Sequence, residues 1–284
     1  METAENCDFI HGLFERRLAR QELDVPLLPE AAMRIMRASV DDAPNARRFA
    51  DIIAADAALT MHVLRVASSP GKRPAAPVSS LAHAIAWLGV GEVANIAFTL
   101  ALQGKMLCVP GQYSRARGYW RHALGSALWS KHIAQLLRAD AGQAHLCGLL
   151  HEIGKPVTLG AVHELAQRAQ TKLAAEEYER LIETFHRHVG AQVAALWGLP
   201  DFVVAASAQW EAYEAAGAAR RLCNIVNLAH RLTDCAFGDA SPLARDLLLD
   251  AQVCKDLGFA PEDAGALFDA AGAIGAELDS YLPA

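Results

Sequence analysis

The stretch Gly148-Leu-Leu-His-Glu-Ile-Gly-Lys-Pro156 decides the fold of this chain. Its apolar start continues a helical pattern from Gln143, and the run stops at His151 and Glu152, two side chains that bind metals and protons. Gly154 permits a close turn after them, and the next helix is expected to begin near Val162. The pattern favours a helix whose end delivers a histidine and a carboxylate to the interior of a helical protein.

The composition predicts an all-α protein with a large core. The chain has 284 residues, of which 53% are hydrophobic, so it can bury a sizeable core. Alanine and leucine dominate one segment after another, only 7% of residues are aromatic, and runs rich in Val, Thr and Tyr are scarce. We therefore expect two packed helical lobes and no solenoid, since no fixed-period repeat occurs.

The clearest candidate boundary between the lobes is Pro110-Gly111. It predicts an N-terminal helical lobe over 1–110, a helical core over 111–235 and a helical C-terminal extension over 236–284. The apolar segment from Leu81 to Gln103 is nearly long enough to span a bilayer. A Leu-Gly-Val-Gly turn at 88–91 interrupts it, so two buried helices are expected instead of a membrane span.

Charge argues against nucleic acid and lipid surfaces as partners. Lys and Arg total 26 against 32 acidic residues, a formal charge of −6. A two-helix unit over 79–102 has the outline of a DNA-binding motif, but its second helix, from Glu92, carries no Lys or Arg for phosphates up to Leu102. The acidic start is unlike a secretory signal, and the six scattered cysteines lack a C-x-x-C pair, so a cytoplasmic protein with free thiols is expected.

Four of the eleven histidines follow or lie within apolar helical patterns: His122, His151, His188 and His230. Taken singly, each is more often a hydrogen-bonded core or surface histidine than a metal ligand. Together with Glu152 they support the hypothesis of one joint metal site.

Several stretches resemble the HDOD domain, a branch of the HD superfamily found as an output module in bacterial signalling proteins. The resemblance covers the chain from about Pro26 to Cys235. It is carried by Val25-Pro-Leu-Leu-Pro-Glu-Ala-Ala32, Ile53-Ala-Ala-Asp-Ala-Ala-Leu-Thr60, Val78-Ser-Ser-Leu-Ala-His-Ala-Ile-Ala-Trp-Leu-Gly89, Tyr119-Trp-Arg-His122, the stretch 148–155, and Val189-Gly-Ala-Gln-Val-Ala-Ala-Leu-Trp-Gly-Leu-Pro200.

This resemblance implies a metal site. Catalytically competent HD proteins hold a divalent ion with a first histidine, a His-Asp doublet and a distant aspartate. By position His122 and His151 match the two histidines, Glu152 stands in place of the doublet aspartate, and His230 in place of the last aspartate. His188 resembles an extra ligand of cyclic-di-GMP phosphodiesterases that hold two or three metals.

The departures from that pattern change the chemistry. Glu152 is one methylene longer than aspartate, and neutral His230 removes a negative charge, so a pair of Mg²⁺ or Mn²⁺ ions is not expected. His122, His151, Glu152 and His230 still suit one divalent transition ion such as Zn²⁺, Ni²⁺ or Fe²⁺. Lys155 matches a lysine that lies near the phosphate in active relatives; alternatively it is a solvated cation at a helix end.

Two functional hypotheses remain open. The first is a non-catalytic HDOD output module with a degenerate metal site that docks onto other signalling proteins. The second is a metal-dependent phosphohydrolase acting on a nucleotide or a cyclic dinucleotide, with Glu152 and Lys155 as catalytic candidates. No phospho-acceptor receiver domain precedes the module in this sequence, so its input is expected from a separate chain or a ligand. The sequence does not predict an oligomeric state.

Overall fold

The computed structural model describes residues 2–40, 46–70, 72, 74, 78–106, 109–238, 248, 251–260 and 267–282. Its described residues form helices and contain no β-strand, which confirms the all-α prediction. The helices are α1 (Glu2–Ala19), α2 (Glu30–Val40), α3 (Ala46–Ala54), α4 (Ala57–Ala67), α5 (Leu81–Leu88), α6 (Val90–Met106), α7 (Tyr113–Leu136), α8 (Ala141–Leu150), α9 (Gly154–Arg168), α10 (Ala175–Leu196), α11 (Asp201–Gln209), α12 (Arg220–Phe237), α13 (Gln252–Asp256) and α14 (Ala271–Tyr281).

The first lobe is built from helices with ordinary start signals. Asp56 accepts a hydrogen bond from the Leu59 backbone N–H at 3.0 Å and so caps α4. Ser80 caps α5 in the same way through the His83 N–H at 3.1 Å. The apolar segment from Leu81 is divided as predicted, because Gly89 adopts a φ of 82° between α5 and α6. Among the helices described, none has the length and apolar character needed to cross a bilayer.

The second lobe packs α7 against α8 and α12, and α9 against α10, which in turn contacts α11. α1 precedes the predicted boundary at residue 110, yet it lies against α9 and α10 of the second lobe. The buried apolar side chains form one cluster that continues through both lobes. The three-part division of the chain therefore stays a prediction, and residues 239–247, 249–250, 261–266 and 283–284 of the predicted extension lie outside the described residues.

One helix start was predicted wrongly. α9 begins at Gly154 and not near Val162, so His151, Glu152 and Ile153 form a short turn between two helices. Pro156 in the first turn of α9 is compatible with this earlier start, because the N–H groups there have no partner within the helix. Glu152 and Lys155 consequently lie at the N-terminal end of a helix.

A buried ion cluster fastens the C-terminal helix to the first lobe. The Lys72 ammonium contacts the carboxylates of Glu92 and Glu277, and Lys131 Nζ lies 2.6 Å from Glu92 Oε1. Burial alone would raise the pKa of Glu92, but the two lysines outweigh it and lower the pKa from 4.5 to about 2. Glu92 therefore stays ionised in the folded protein well below the pH at which it takes up a proton in the unfolded chain.

This shift predicts a stability loss in acid. Because the folded-state pKa of Glu92 is depressed, its contribution is complete above about pH 4.5 and disappears as the pH falls toward about 2. The full shift corresponds to at most about 3 kcal/mol of unfolding free energy. Urea unfolding at pH 6 and at pH 3 should show a larger loss for the wild type than for Glu92→Gln. Equal losses of stability in the two proteins would contradict the lowered pKa of Glu92.

Candidate metal site

Three segments of the second lobe converge on one point. α7 carries His122, the turn between α8 and α9 carries His151 and Glu152, and α12 carries His230. One ligand atom from each of these four residues lies within 4.8 Å of all the others. The structure thus brings together the four residues that the sequence singled out as a joint site.

The distances within this cluster are those of a compact polar site. His122 Nδ1 lies 3.1 Å from Glu152 Oε2, and His151 Nε2 lies 3.1 Å from His230 Nδ1. Glu152 is also 3.8 Å from His230 Nδ1 and 3.9 Å from His151 Nε2, through its two carboxylate oxygens. The carboxylate of Glu152 therefore lies among three imidazole rings.

His151 is oriented as metal-binding histidines usually are. Its Nδ1–H donates to the Gly148 carbonyl oxygen at 2.8 Å, so Nε2 carries a lone pair that faces the cluster. Complete burial lowers the pKa of His151 well below its usual value and keeps the ring neutral. α8 comes close to α7 here, because a Cβ at Gly148 would lie 2.6 Å from the Ser126 carbonyl oxygen.

Asp234 is a member of the site that the sequence did not predict. Its Oδ1 lies 3.0 Å from His122 Nε2 and its Oδ2 lies 3.5 Å from His230 Nε2. Both histidines thus point Nδ1 into the cluster and Nε2 toward Asp234. The signal available in the sequence was the i, i+4 spacing of His230 and Asp234 on one helix face.

The charge on His122 depends on these carboxylates. Burial would lower its pKa, but the hydrogen bond to Asp234 and the adjacent Glu152 carboxylate outweigh that effect and raise the pKa to about 9. At neutral pH the ring is therefore an imidazolium between two carboxylates. A metal ion taking Nδ1 as a ligand has to displace this proton.

Lys155 pairs with the buried carboxylate. Its Nζ lies 2.7 Å from Glu152 Oε1 and 2.8 Å from Glu183 Oε1 of α10, and its side chain is only 13% exposed. Lys155 is mostly buried between two carboxylates in the N-terminal turn of α9, so the interpretation as a solvated cation near a helix C-terminus is wrong. Its predicted role near a phosphate stays a prediction.

Trp210 closes one side of the cluster. Its ring lies over His230 with centroids 4.2 Å apart and meets the edge of His151 at 5.0 Å. The side chain is 4% exposed, and its indole Nε1 finds no hydrogen-bond partner among the described residues. This apolar wall covers one face of His230 and helps to exclude water from His151, which is fully buried.

His188 lies outside the cluster. It is exposed on α10, and its Nε2 is 3.0 Å from Gln192 Nε2. The histidine that α10 directs inward is His186, which is buried with Nε2 3.4 Å from Glu183 Oε2. Side chains two positions apart in a helix point to nearly opposite sides. The inference that His188 points inward as an extra ligand is therefore not supported by this geometry.

The sequence match and the architecture agree on one family. The family model of the HDOD domain matches residues 25–213. The chain belongs to the HDOD family. The match begins where the resemblance at Pro26 was noted, and it ends before His230 and Asp234. The cluster is therefore completed by a part of the HDOD protein that the family match does not cover.

Solved structures share this fold. The HDOD chain is similar to a proposed metal-dependent phosphohydrolase from Shewanella amazonensis SB2B, with 20% identity, coverage of 98% of this chain and 100% of the other, and a TM-score of 0.77. A Geobacter sulfurreducens HDOD domain protein of unknown function has 24% identity, 94% and 97% coverage, and a TM-score of 0.76. A proposed signal transduction protein from Marinobacter aquaeolei VT8 has 24% identity, 99% and 66% coverage, and a TM-score of 0.67.

A further likeness extends over part of the chain. An uncharacterized protein of Treponema pallidum (strain Nichols) is 23% identical over 190 residues, which are 64% of this chain. The HDOD chain spans only 36% of the length of that relative.

The residues of the cluster fit one transition ion better than two hard cations. Three imidazole nitrogens and one carboxylate are a common ligand set for a single Zn²⁺, Ni²⁺ or Fe²⁺ ion, and His122, His151, Glu152 and His230 would hold it. Mg²⁺ and Mn²⁺ pairs need more carboxylate oxygen than Glu152 provides. A bound ion would supply a Lewis acid for a phosphate oxygen or an acidified water.

Asp234 should affect metal affinity without being a ligand of that ion. Carboxylates that orient ligating histidines typically contribute about 10- to 100-fold to metal affinity. We expect Asp234→Asn to weaken Zn²⁺ binding by that factor while one ion per chain is still bound, measured by competition with a chromogenic chelator. Asp201→Asn, exposed at the start of α11, is the matched control and should bind like the wild type. Unchanged affinity in Asp234→Asn would exclude this orienting role.

Proposed function

We propose that this HDOD protein is a non-catalytic signalling output module that acts by docking onto other signalling proteins. The observation that carries the proposal is that the Glu152 carboxylate is already paired with a lysine. It is the single carboxylate among the four candidate ligands, and its Oε1 is already 2.7 Å from the Lys155 ammonium.

The charges around Glu152 also support a non-catalytic role. The buried carboxylate of Glu152 is neutralised by the side chains of Lys155 and His122, so the fold does not depend on a metal ion to compensate it. A two-metal centre needs several anionic oxygens to hold both ions. Asp234 is 55% exposed and faces the far side of His122 and His230, so it does not replace the missing aspartate within the cluster.

The second candidate function is a phosphohydrolase with one metal ion, acting on a nucleotide or a cyclic dinucleotide. The Nε2 lone pair of His151 faces the cluster, and a structural neighbour carries the description of a metal-dependent phosphohydrolase. Against it, Lys155 Nζ lies between two carboxylates and would have to leave one of them to meet a phosphate.

The deciding experiment combines metal analysis with a substrate panel. Purified protein is analysed for bound elements and then incubated with nucleotides and cyclic dinucleotides, with Mg²⁺, Mn²⁺, Zn²⁺, Ni²⁺ or Fe²⁺ supplied in turn. We expect no turnover above the blanks. Hydrolysis that disappears in a folded His151→Ala variant would overturn the proposal and favour the phosphohydrolase.

Docking is tested separately with the full chain as bait. Exposed apolar side chains on helices that carry no residue of the cluster, such as Met61 on α4 and Trp87 on α5, are candidates for partner contacts. Capture of a specific signalling protein should survive His151→Ala and weaken when Met61 and Trp87 are changed to serine. Loss of capture in His151→Ala alone would tie docking to the cluster instead.

A further inference from the structure

A cavity lies between the two lobes, at a distance from the histidine cluster. Its volume is about 510 Å³, and its walls come from α2, α3 and α6 on one side and from the starts of α8 and α11 on the other. Sites for small organic ligands commonly have volumes of about 300 to 1,000 Å³ and lie between structural units. We call it the interlobe cavity.

The lining of the interlobe cavity has an apolar floor and a polar rim. Ile35, Phe49 and Phe98 are buried at its floor. Asp140 and Gln143 are exposed at its rim. Such a lining suits a ligand with an apolar body and one polar end.

The rim also indicates the chemistry of that end group. The cavity lining includes the carboxylate of Asp140 and the amide of Asn95, and none of the described residues that line it is Lys, Arg or His. Asp140 Oδ1 accepts the Gln143 N–H at 2.9 Å, which leaves acceptor capacity on the same carboxylate. A group that donates hydrogen bonds can pair with this carboxylate, whose charge also opposes the attraction that the two nearby helix starts have for an anion.

The two helices that start at the cavity end at the histidine cluster. α8 runs from its cap Asp140 to Leu150, next to His151 and Glu152, a length of about 15 Å. α11 runs from Asp201 to Gln209, next to Trp210. The Ser207 hydroxyl of α11 lies 3.1 Å from the Leu150 carbonyl oxygen and 3.0 Å from the Val203 carbonyl oxygen of its own helix, so the far ends of α8 and α11 are in contact.

We propose that the interlobe cavity binds a small organic molecule with an apolar body and a hydrogen-bond-donating end group, and that its occupancy is transmitted along α8 and α11 to the cluster. This site goes beyond the docking function and requires no metal. The ligand touches the N-terminal ends of two packed helices whose C-terminal ends position His151, Glu152 and Trp210. Ligand binding that fixes the N-terminal ends of the two helices also changes the positions of the residues at their C-terminal ends, because each helix moves as a rigid element.

Two probes with the same ring system test the end group. Naphthylmethylamine carries an ammonium, while naphthoate carries a carboxylate on the same apolar body. We expect one saturable site for the amine by titration calorimetry, and at least about ten-fold weaker binding of naphthoate, a difference of about 1.4 kcal/mol. Absence of saturable amine binding, or equal binding of both probes, overturns the proposed ligand chemistry.

A matched pair of variants locates the site. Gly91 lines the cavity and Gly104 lies on the same helix away from it, and a Cβ at either position meets nothing within 4 Å. Gly91→Leu should fold normally and weaken amine binding at least about ten-fold, whereas Gly104→Leu should bind like the wild type. If amine binding is weakened equally in the two variants, or retained equally in both, the probe binds elsewhere and the proposed site is wrong.

Hydrogen exchange tests the transmission to the cluster. In the wild type, saturating amine should slow amide exchange over 148–155 and 207–210, and the effect should be absent in Gly91→Leu at the same concentration. Binding at the cavity with unchanged exchange in both segments would overturn the transmission. Neither result depends on phosphodiester hydrolysis or on partner capture, so failure here is distinguishable from failure of the docking function.

Discussion

Gly154→Ala will lower the free energy of unfolding by at least about 4 kcal/mol. Losses of this size come from only a few mechanisms, and overpacking of the core is one of them. A Cβ at position 154 would lie 1.8 Å from the His186 carbonyl oxygen and 2.7 Å from the Gly190 backbone nitrogen. Both atoms belong to the backbone of α10, so no side-chain rotation relieves the overlap. α9 and α10 would have to separate, and the turn that carries His151 and Glu152 would move with α9.

The control for this variant is Gly160→Ala on the same helix. There a Cβ meets only Val109 Cγ1, at 4.0 Å, so the substitution fits. Alanine in a helix interior is favoured over glycine by about 0.5 to 1 kcal/mol, and this variant should be slightly more stable than the wild type. Urea unfolding followed by circular dichroism compares the two. A Gly154→Ala protein with a near-normal midpoint would disprove the close crossing of α9 and α10.

Lys155→Met will cost about 3 kcal/mol, because removing one member of a buried ion pair leaves the other charge without compensation. The Glu152 side chain is 3% exposed and would keep only His122 as a cationic partner. Methionine retains most of the apolar stem of lysine, so the loss reports on the charge more than on packing. Glu183, the second partner, is half-exposed and can be solvated.

A double-mutant cycle isolates the pair. Glu152→Gln removes the negative charge that Lys155 compensates, so Lys155→Met with Glu152→Gln should be less destabilising than the sum of the single changes by about 1 to 3 kcal/mol. Arg168→Met on the same helix is the matched control, since Arg168 is 70% exposed in its pair with Glu164 and should change stability by no more than about 0.5 kcal/mol. Simple additivity in the cycle would show that the pair contributes no coupling.

Helical spacing predicted part of the site, although it also pointed His188 inward, and the family resemblance selected the four residues. Apolar neighbours placed His122, His151 and His230 on inward-facing sides of helices, and the structure brings these three residues together with Glu152. Ser80, one of two serines before an apolar run, caps α5, and the Gly-containing turn divides α5 from α6. These features depend on residues within a turn or two of each other, which is the range over which sequence patterns carry information.

Other features depend on how helices far apart in the chain cross. Gly154 is needed for the approach of α10 and not for its own turn, since it has no positive φ. Lys155 finds its second carboxylate on α10, and Asp234 meets His122 on α7 across the fold. Spacing along one helix cannot reveal these partners, because the crossing of packed helices sets their distances.

The residues of this chain therefore determine locally that it is all-helical and that three histidines and a glutamate face its interior. Only the packing of α7, α9, α10 and α12 decides that Lys155 also meets Glu183, that Asp234 holds two of the histidines from outside, and that His188 is excluded. Apolar periodicity specifies the direction in which a side chain points. Apart from Lys155, which is three residues from Glu152, the charges that it meets there come from segments distant in sequence, and those charges decide whether the cluster favours an ion pair or a metal.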